Sequence, residues 1–150
     1  MRRWPEDRLR PLSPVGVRKF RKAAAGLERL AGDMSCVLTS PLARARQTAE
    51  ILTTVASWPR AQELAALAPG HAPAEVLTAL REQAVATLAL VGHEPGLSEL
   101  LAVSVAGTGA RFECELKKGG VACLAFSSPV RAGRARLEWL ITPKVLRALA

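Results

Sequence analysis

A three-layer α/β/α fold built on a largely parallel sheet is what this 150-residue sequence predicts. Two observations carry the reading. Short apolar runs alternate with helical periodicity over the first two thirds of the chain, and at two points such a run passes directly into a helix start. Length adds a third constraint: a chain of this size buries roughly two thirds of its unfolded surface around one core, so a single domain over 1–150 is expected.

Ser13-Pro14 offers an N-cap hydroxyl followed by proline at the first helical position, and Val17, Phe20, Ala24, Leu27 and Ala31 then recur every three or four residues. A helix from Pro14 to Ala31 follows, stopped by Gly32. Cys36-Val37-Leu38-Thr39 is short, apolar and partly β-branched, a strand that runs into a second cap-and-proline start at Ser40-Pro41. In the next helix Leu42, Ala45, Ala49, Leu52 and Ala56 form the buried stripe, which leaves Arg44, in the first turn, with Gln47 and Thr48 on other faces. A short third strand is expected between Arg60 and Leu67. Pro69-Gly70 then breaks the chain, and Pro73 opens a helix through Val76, Leu77 and Leu80. Ala86 to Val91 predicts a strand buried on both faces, as a parallel sheet requires, ending at Gly92-His93-Glu94-Pro95 ahead of a helix to about Val105. Beyond Gly107-Thr108-Gly109, the runs Phe112 to Leu116, Val121 to Phe126 and Arg134 to Ile141 predict strands that complete the sheet, the last alternating Leu137, Trp139 and Ile141. Thr142-Pro143 caps a short terminal helix.

Composition narrows the function. Apolar residues at 49% and charged residues at 23% suit a folded soluble chain and exclude the low-hydrophobicity regime of disorder. Met1-Arg2-Arg3 is followed by Trp4, Pro5, Glu6 and Asp7 rather than by the apolar stretch of a secretion signal, and Ala84 to Val91 is too short to span a bilayer. A cytoplasmic setting with no membrane is expected. The cysteines Cys36, Cys114 and Cys123 fit it, with no C-x-x-C pair and no histidine at zinc-ligand spacing, so they read as small buried hydrophobes on strands. No metal or cofactor is implied. The net charge of +8 is spread along the chain, with six aromatic residues and no nucleic-acid-binding motif, which favours an anionic substrate or partner over nucleic acid.

The two strand-to-helix junctions, Thr39 to Glu50 and Val91 to Leu97, fall where open α/β sheets bind ligands, beyond the carboxyl ends of the strands. Free N–H groups and the positive end of a helix attract anions there. An arginine in the first turn adds a forked, charge-assisted grip on phosphate oxygens. Alone, neither junction is specific, since an arginine on a helix is usually solvated and a lone histidine after a strand is usually structural.

Whole phrases carry more. SPLARARQTAE, Ser40 to Glu50, resembles the S-P-x-x-R-A-x-Q-T-A motif of the histidine phosphatase superfamily. VGHEPGLSELL, Val91 to Leu101, resembles the second signature of the SixA-like branch of that family, the phosphohistidine phosphatases. LRPLSPVG at Leu9 to Gly16, KKGGVACL at Lys117 to Leu124 and LITPK at Leu140 to Lys144 are similar to further phrases of that branch, in its order, so the resemblance spans essentially the whole chain. It implies a phosphoglycerate mutase-like fold and a metal-independent phosphatase acting on phosphohistidine in a protein or on a small phosphomonoester. On the same ground, Arg44 is a phosphate-pocket arginine. His93 is the pocket's second histidine, donating to a phosphoryl oxygen and stabilising charge that builds up during transfer. Ser40 matches the motif as a substrate-binding residue and is explained equally well as a helix cap.

The family also carries an Arg-His-Gly or Arg-His-Ala motif at the end of its first strand, which supplies the nucleophilic histidine and another phosphate arginine. This sequence has only His71 and His93, and His71 lies in the Pro69-Gly70-His71 turn. The motif would fall before Met1. The resemblance therefore implies that the first, central strand is missing and that the chain as written is nearly inactive, because losing a covalent nucleophile costs on the order of a million-fold in a well-studied hydrolase. Lowered stability or association through the uncovered neighbouring strands is expected as well. For a general acid, Glu63 is better placed than Glu94, which serves equally as a helix N-terminal charge; a surface or capping role is the simpler account of each. Lys117 and Lys118 extend the anion pocket on one reading and form a solvated hairpin tip on the other. Arg2, Arg3, Arg8 and Arg10 read as solvated. Two alternatives stand beside the phosphatase. One is an inactive relative that binds phosphate or a phosphoprotein through Arg44 and His93, marked by binding without turnover; the other is a basic nucleic-acid-binding module, marked by steep salt dependence.

Overall fold

In the computed structural model, which describes residues 6–109 and 112–150, helix and strand alternate as the pattern dictates. Helix α1 (Pro14–Ala31) starts where Ser13 Oγ accepts the Gly16 N–H at 3.0 Å, and it stops at Gly32, whose φ of 66° suits glycine. Strand β1 (Cys36–Thr39) leads into α2 (Ala43–Ala56). After them come β2 (Gln62–Glu63), a 3-10 turn at Ala65–Leu67, α3 (Pro73–Arg81), β3 (Leu88–Val91) and α4 (Gly96–Ala106). Strands β4 (Val121–Phe126) and β5 (Ala135–Ile141) precede α5 (Pro143–Ala148), which Thr142 caps by accepting the Val145 N–H.

The parallel sheet has the order β2-β1-β3, with Leu38 opposite Leu90 and Thr39 opposite both Glu63 and Val91. Successive β1 side chains point to opposite faces. Val37 joins Ala24, Leu27, Ala49, Leu52 and Leu146, so α1, α2 and α5 cover one face of the sheet. Leu38 joins Leu67, Val76, Leu77 and Leu100, so α3 and α4 cover the other. This is the expected three-layer arrangement. Helices α1 and α5 approach so closely that a Cβ at Gly26 would lie 1.8 Å from the Leu146 carbonyl oxygen, a contact only glycine permits. Among the described residues no helix is long and apolar enough to cross a membrane.

Five expectations are corrected. Phe112 to Leu116 forms no strand; Leu116 N–H turns instead to Ser98 Oγ at 3.1 Å, so its backbone is satisfied by a helix side chain. Strands β4 and β5 do not extend the parallel sheet but pair antiparallel with each other. Strand β3 starts at Leu88, because the Thr87 hydroxyl accepts the Ser35 N–H at 3.0 Å in place of a backbone rung, and only Val91 is buried. Among the described residues β3 pairs with β1 alone, which leaves its other edge uncovered. Ser40 is not the N-cap of α2, which Leu42 occupies. The cysteines are half-buried rather than buried, and Cys114 lies outside any strand. The solvated roles expected of Arg2 and Arg3 fall outside the described residues.

Candidate active site

Strands β1 and β3 end side by side. The ladder continues one step past β1 on each flank: Ser40 N–H donates to the Val91 carbonyl at 2.9 Å, and Leu64 N–H to the Thr39 carbonyl at 2.8 Å. The first of those bonds fixes the two strand-to-helix junctions against each other, and the second holds the end of β2 beside β1. Ser40 is fully buried, and His93, two residues past Val91, brings its Nε2 to 2.7 Å from Ser40 Oγ. The Leu42 N–H also donates to Ser40 Oγ, at 3.2 Å. One lone pair is thus occupied, and the hydroxyl proton is available to Nε2 of a neutral imidazole. Burial, then the positive charge of Arg44, push the His93 pKa below its ordinary 6.5, with Asp7 pulling it part of the way back.

Arg44 stands in the first turn of α2 and is only partly exposed. Its Nη1 donates to the carbonyl oxygen and to Oδ1 of Asp7, both at 3.2 Å, and its Nη2 donates to Oδ2 at 3.1 Å. The bond from Arg44 holds the Asp7 carboxyl below the usual carboxylate range. Asp7 opens a 3-10 turn, Asp7–Leu9, laid over the start of α2, and farther along the same helix Gln47 Oε1 accepts the Leu12 N–H at 2.6 Å. Arg44 and Gln47, both from the Ser40–Glu50 phrase, therefore tie the segment before α1 to α2.

Of the residues expected at the site, Ser40 and His93 are in contact, and Arg44 stands in the first turn of the helix after Ser40, near enough for its charge to act on His93. Glu63 does not join them; it is exposed at the end of β2, where Arg46 Nη1 lies 3.7 Å from its carboxylate. Glu94 accepts a hydrogen bond from Ser98 at 2.5 Å across the first turn of α4. The Lys117 side chain is exposed in a turn closed by Gly120 N–H on the Lys117 carbonyl at 2.7 Å. His71 Nδ1 lies 2.8 Å from Glu75 Oε2 at the start of α3. Sequence reasoning missed Asp7, an isolated acid ahead of any periodic pattern. It also missed an open cleft of about 560 Å³ beside Glu94, lined by Ser98, Glu99, Phe112, Glu113 and Glu115. Its lining comes from α4 and from a segment read as a strand.

The profile of the Histidine phosphatase superfamily (branch 1) matches residues 10–89, a stretch that holds Ser40 and Arg44. An uncharacterized protein of Picosynechococcus sp. is 37% identical over 139 residues, covering 90% of this chain and 79% of that protein. Among solved structures, the protein histidine phosphatase SixA complexed with tungstate superposes with a TM-score of 0.80 at 26% identity, over 96% of this chain and 91% of that one. A putative phosphohistidine phosphatase SixA from Nakamurella multipartitia gives 0.70 at 25% identity, over 94% and 89%. The corresponding putative enzyme from Agrobacterium tumefaciens, at 20% identity over 95% and 91%, gives 0.73 and shares the fold. The matched profile and the layered sheet agree, and the chain belongs to branch 1 of the histidine phosphatase superfamily, with a phosphatase-type function.

Proposed function

We propose that this site acts on phosphohistidine in proteins or on small phosphomonoesters, with Arg44 and His93 holding the phosphoryl oxygens and Ser40 orienting the His93 ring. The observation that carries the reading is the 2.7 Å contact between His93 Nε2 and Ser40 Oγ beside the first-turn Arg44 of α2. With Nε2 turned to Ser40, Nδ1 is the ring nitrogen left for a phosphoryl oxygen. The guanidinium and the neutral imidazole then stabilise negative charge as it spreads over those oxygens during transfer. The relative bound to tungstate, a tetrahedral oxyanion, supports a phosphoryl-sized ligand. Glu63, paired with Arg46 away from Ser40 and His93, is given no part in this reading, and imidazole leaving from phosphohistidine needs a proton donor less than an alkoxide does.

In-line attack through a covalent phosphohistidine belongs, in this reading, to a histidine of the Arg-His type. Neither histidine of the chain stands in an Arg-His motif, since Gly92 precedes His93 and Gly70 precedes His71. That observation favours a second reading of the 150 residues alone: they bind phosphoryl groups without turning them over.

Calorimetric titration with inorganic phosphate tests both. The unaltered chain is expected to bind saturably. Arg44→Ala and His93→Ala are each expected to weaken binding about tenfold or more, the worth of a charge-assisted hydrogen bond. Wild-type affinity in Arg44→Ala would refute the pocket. Hydrolysis of a phosphohistidine substrate by the 150 residues alone would refute the second reading.

A further inference from the structure

We propose that Asp7 is an internal carboxylate ligand of the anion site, which competes with a phosphoryl group for the terminal nitrogens of Arg44, so that Asp7 sets how tightly the site holds phosphate. The inference rests on the reading of Arg44 as a phosphate ligand. A carboxylate offers the guanidinium fork two oxygens in one plane, as a phosphoryl group does. Both terminal nitrogens of Arg44 are engaged by Asp7, Nη1 doubly, through Oδ1 and the carbonyl oxygen, and Nη2 through Oδ2. Those three N–H groups cannot serve an incoming anion at the same time, so Asp7 and the anion compete for the terminal end of the fork.

Asp7 is placed to yield rather than to brace. Its 3-10 turn contains no buried residue, and its side chain is 68% exposed, against 24% for Arg44. Its remaining ion-pair partner, Arg10, approaches only to 3.5 Å. A support that holds a catalytic arginine in place needs to be rigid itself, and this turn is not anchored by packing. The chain behind it is tethered, however, by Leu12 N–H on Gln47 Oε1 at 2.6 Å. Asp7 can therefore swing off Arg44 while staying within reach, and it reclaims the fork when phosphate leaves.

Phosphate titration of four proteins tests this: the unaltered chain, Asp7→Asn, Arg44→Ala, and Asp33→Asn, which removes the same charge from an exposed loop ahead of β1, at the other end of that strand from Ser40. Asp7→Asn is expected to tighten phosphate binding about fivefold, the weight of an exposed ion pair turned into affinity. Asp33→Asn is expected to leave it unchanged and Arg44→Ala to weaken it about tenfold or more. Asp7→Asn that binds no tighter than the unaltered chain overturns the proposal, and so does equal tightening in Asp33→Asn. Arg44→Ala with unaltered affinity overturns the pocket reading instead, and failure of every protein to bind overturns both. Carbon-13 resonances give a readout independent of the variants: the Asp7 carboxyl signal moves as phosphate saturates the unaltered chain, and a signal that stays in place contradicts displacement.

Discussion

His93 holds its ring nitrogen against a buried serine while its pKa is pushed down by burial and by Arg44. The folded state therefore binds the His93 proton less tightly than the unfolded chain does. Stability is fully present above pH 6.5 and is lost as pH falls toward the lowered value. Proton NMR titration is expected to give His93 a midpoint below 6.5; a midpoint above it would contradict the burial. Ser40→Ala removes the partner of both His93 Nε2 and the Leu42 N–H and is expected to cost about 1–2 kcal/mol in denaturant unfolding, because both half-buried groups lose their bond. Ser104 is the opposite case. Its buried hydroxyl has no partner among the described residues, so Ser104→Ala is expected to be neutral or to stabilise by about 1 kcal/mol. Arg44 and His93 were legible because each sits at a fixed place in a strand-to-helix phrase. Asp7 was not, since its importance lies in a contact 37 residues away along the chain that no local pattern encodes.

Helix α1 matches its expected span to the residue because every signal in it is local: the Ser13 cap, Pro14, the apolar stripe and the Gly32 stop. Strand β4 is equally plain, six apolar residues between a Gly-Gly turn and Ser127. The misread elements depend on partners instead. Phe112 to Leu116 has strand-like composition, yet no ladder receives it, and β3 loses its first two expected residues to the Ser35–Thr87 contact. The α1–α5 packing offers a test at this scale. Gly26→Ala drives a methyl into the Leu146 carbonyl and is expected to destabilise by about 1–3 kcal/mol through overpacking, measured by chemical unfolding; an unchanged midpoint would mean that α5 is free to move away.

At the scale of the whole molecule, the two clusters on either face of β1 account for the layered architecture, and their apolar periodicity made the fold class readable. Which strands share a ladder was not readable, because alternation assigns side chains to faces but does not choose neighbours. Among the described residues β3 pairs only with β1 and β4 only with β5, so each has an edge free to pair with another chain. Sedimentation velocity is expected to show concentration-dependent association of the 150-residue chain, and a strictly monomeric protein with a high unfolding midpoint would contradict that. Arg44, His93 and Ser40 are proposed to form one anion site, and the two histidines of the chain provide a direct test of it. Tungstate titration followed by histidine proton NMR is predicted to shift the His93 ring signals saturably while leaving those of His71 in place; an unmoved His93, or equal movement of both, would contradict the site.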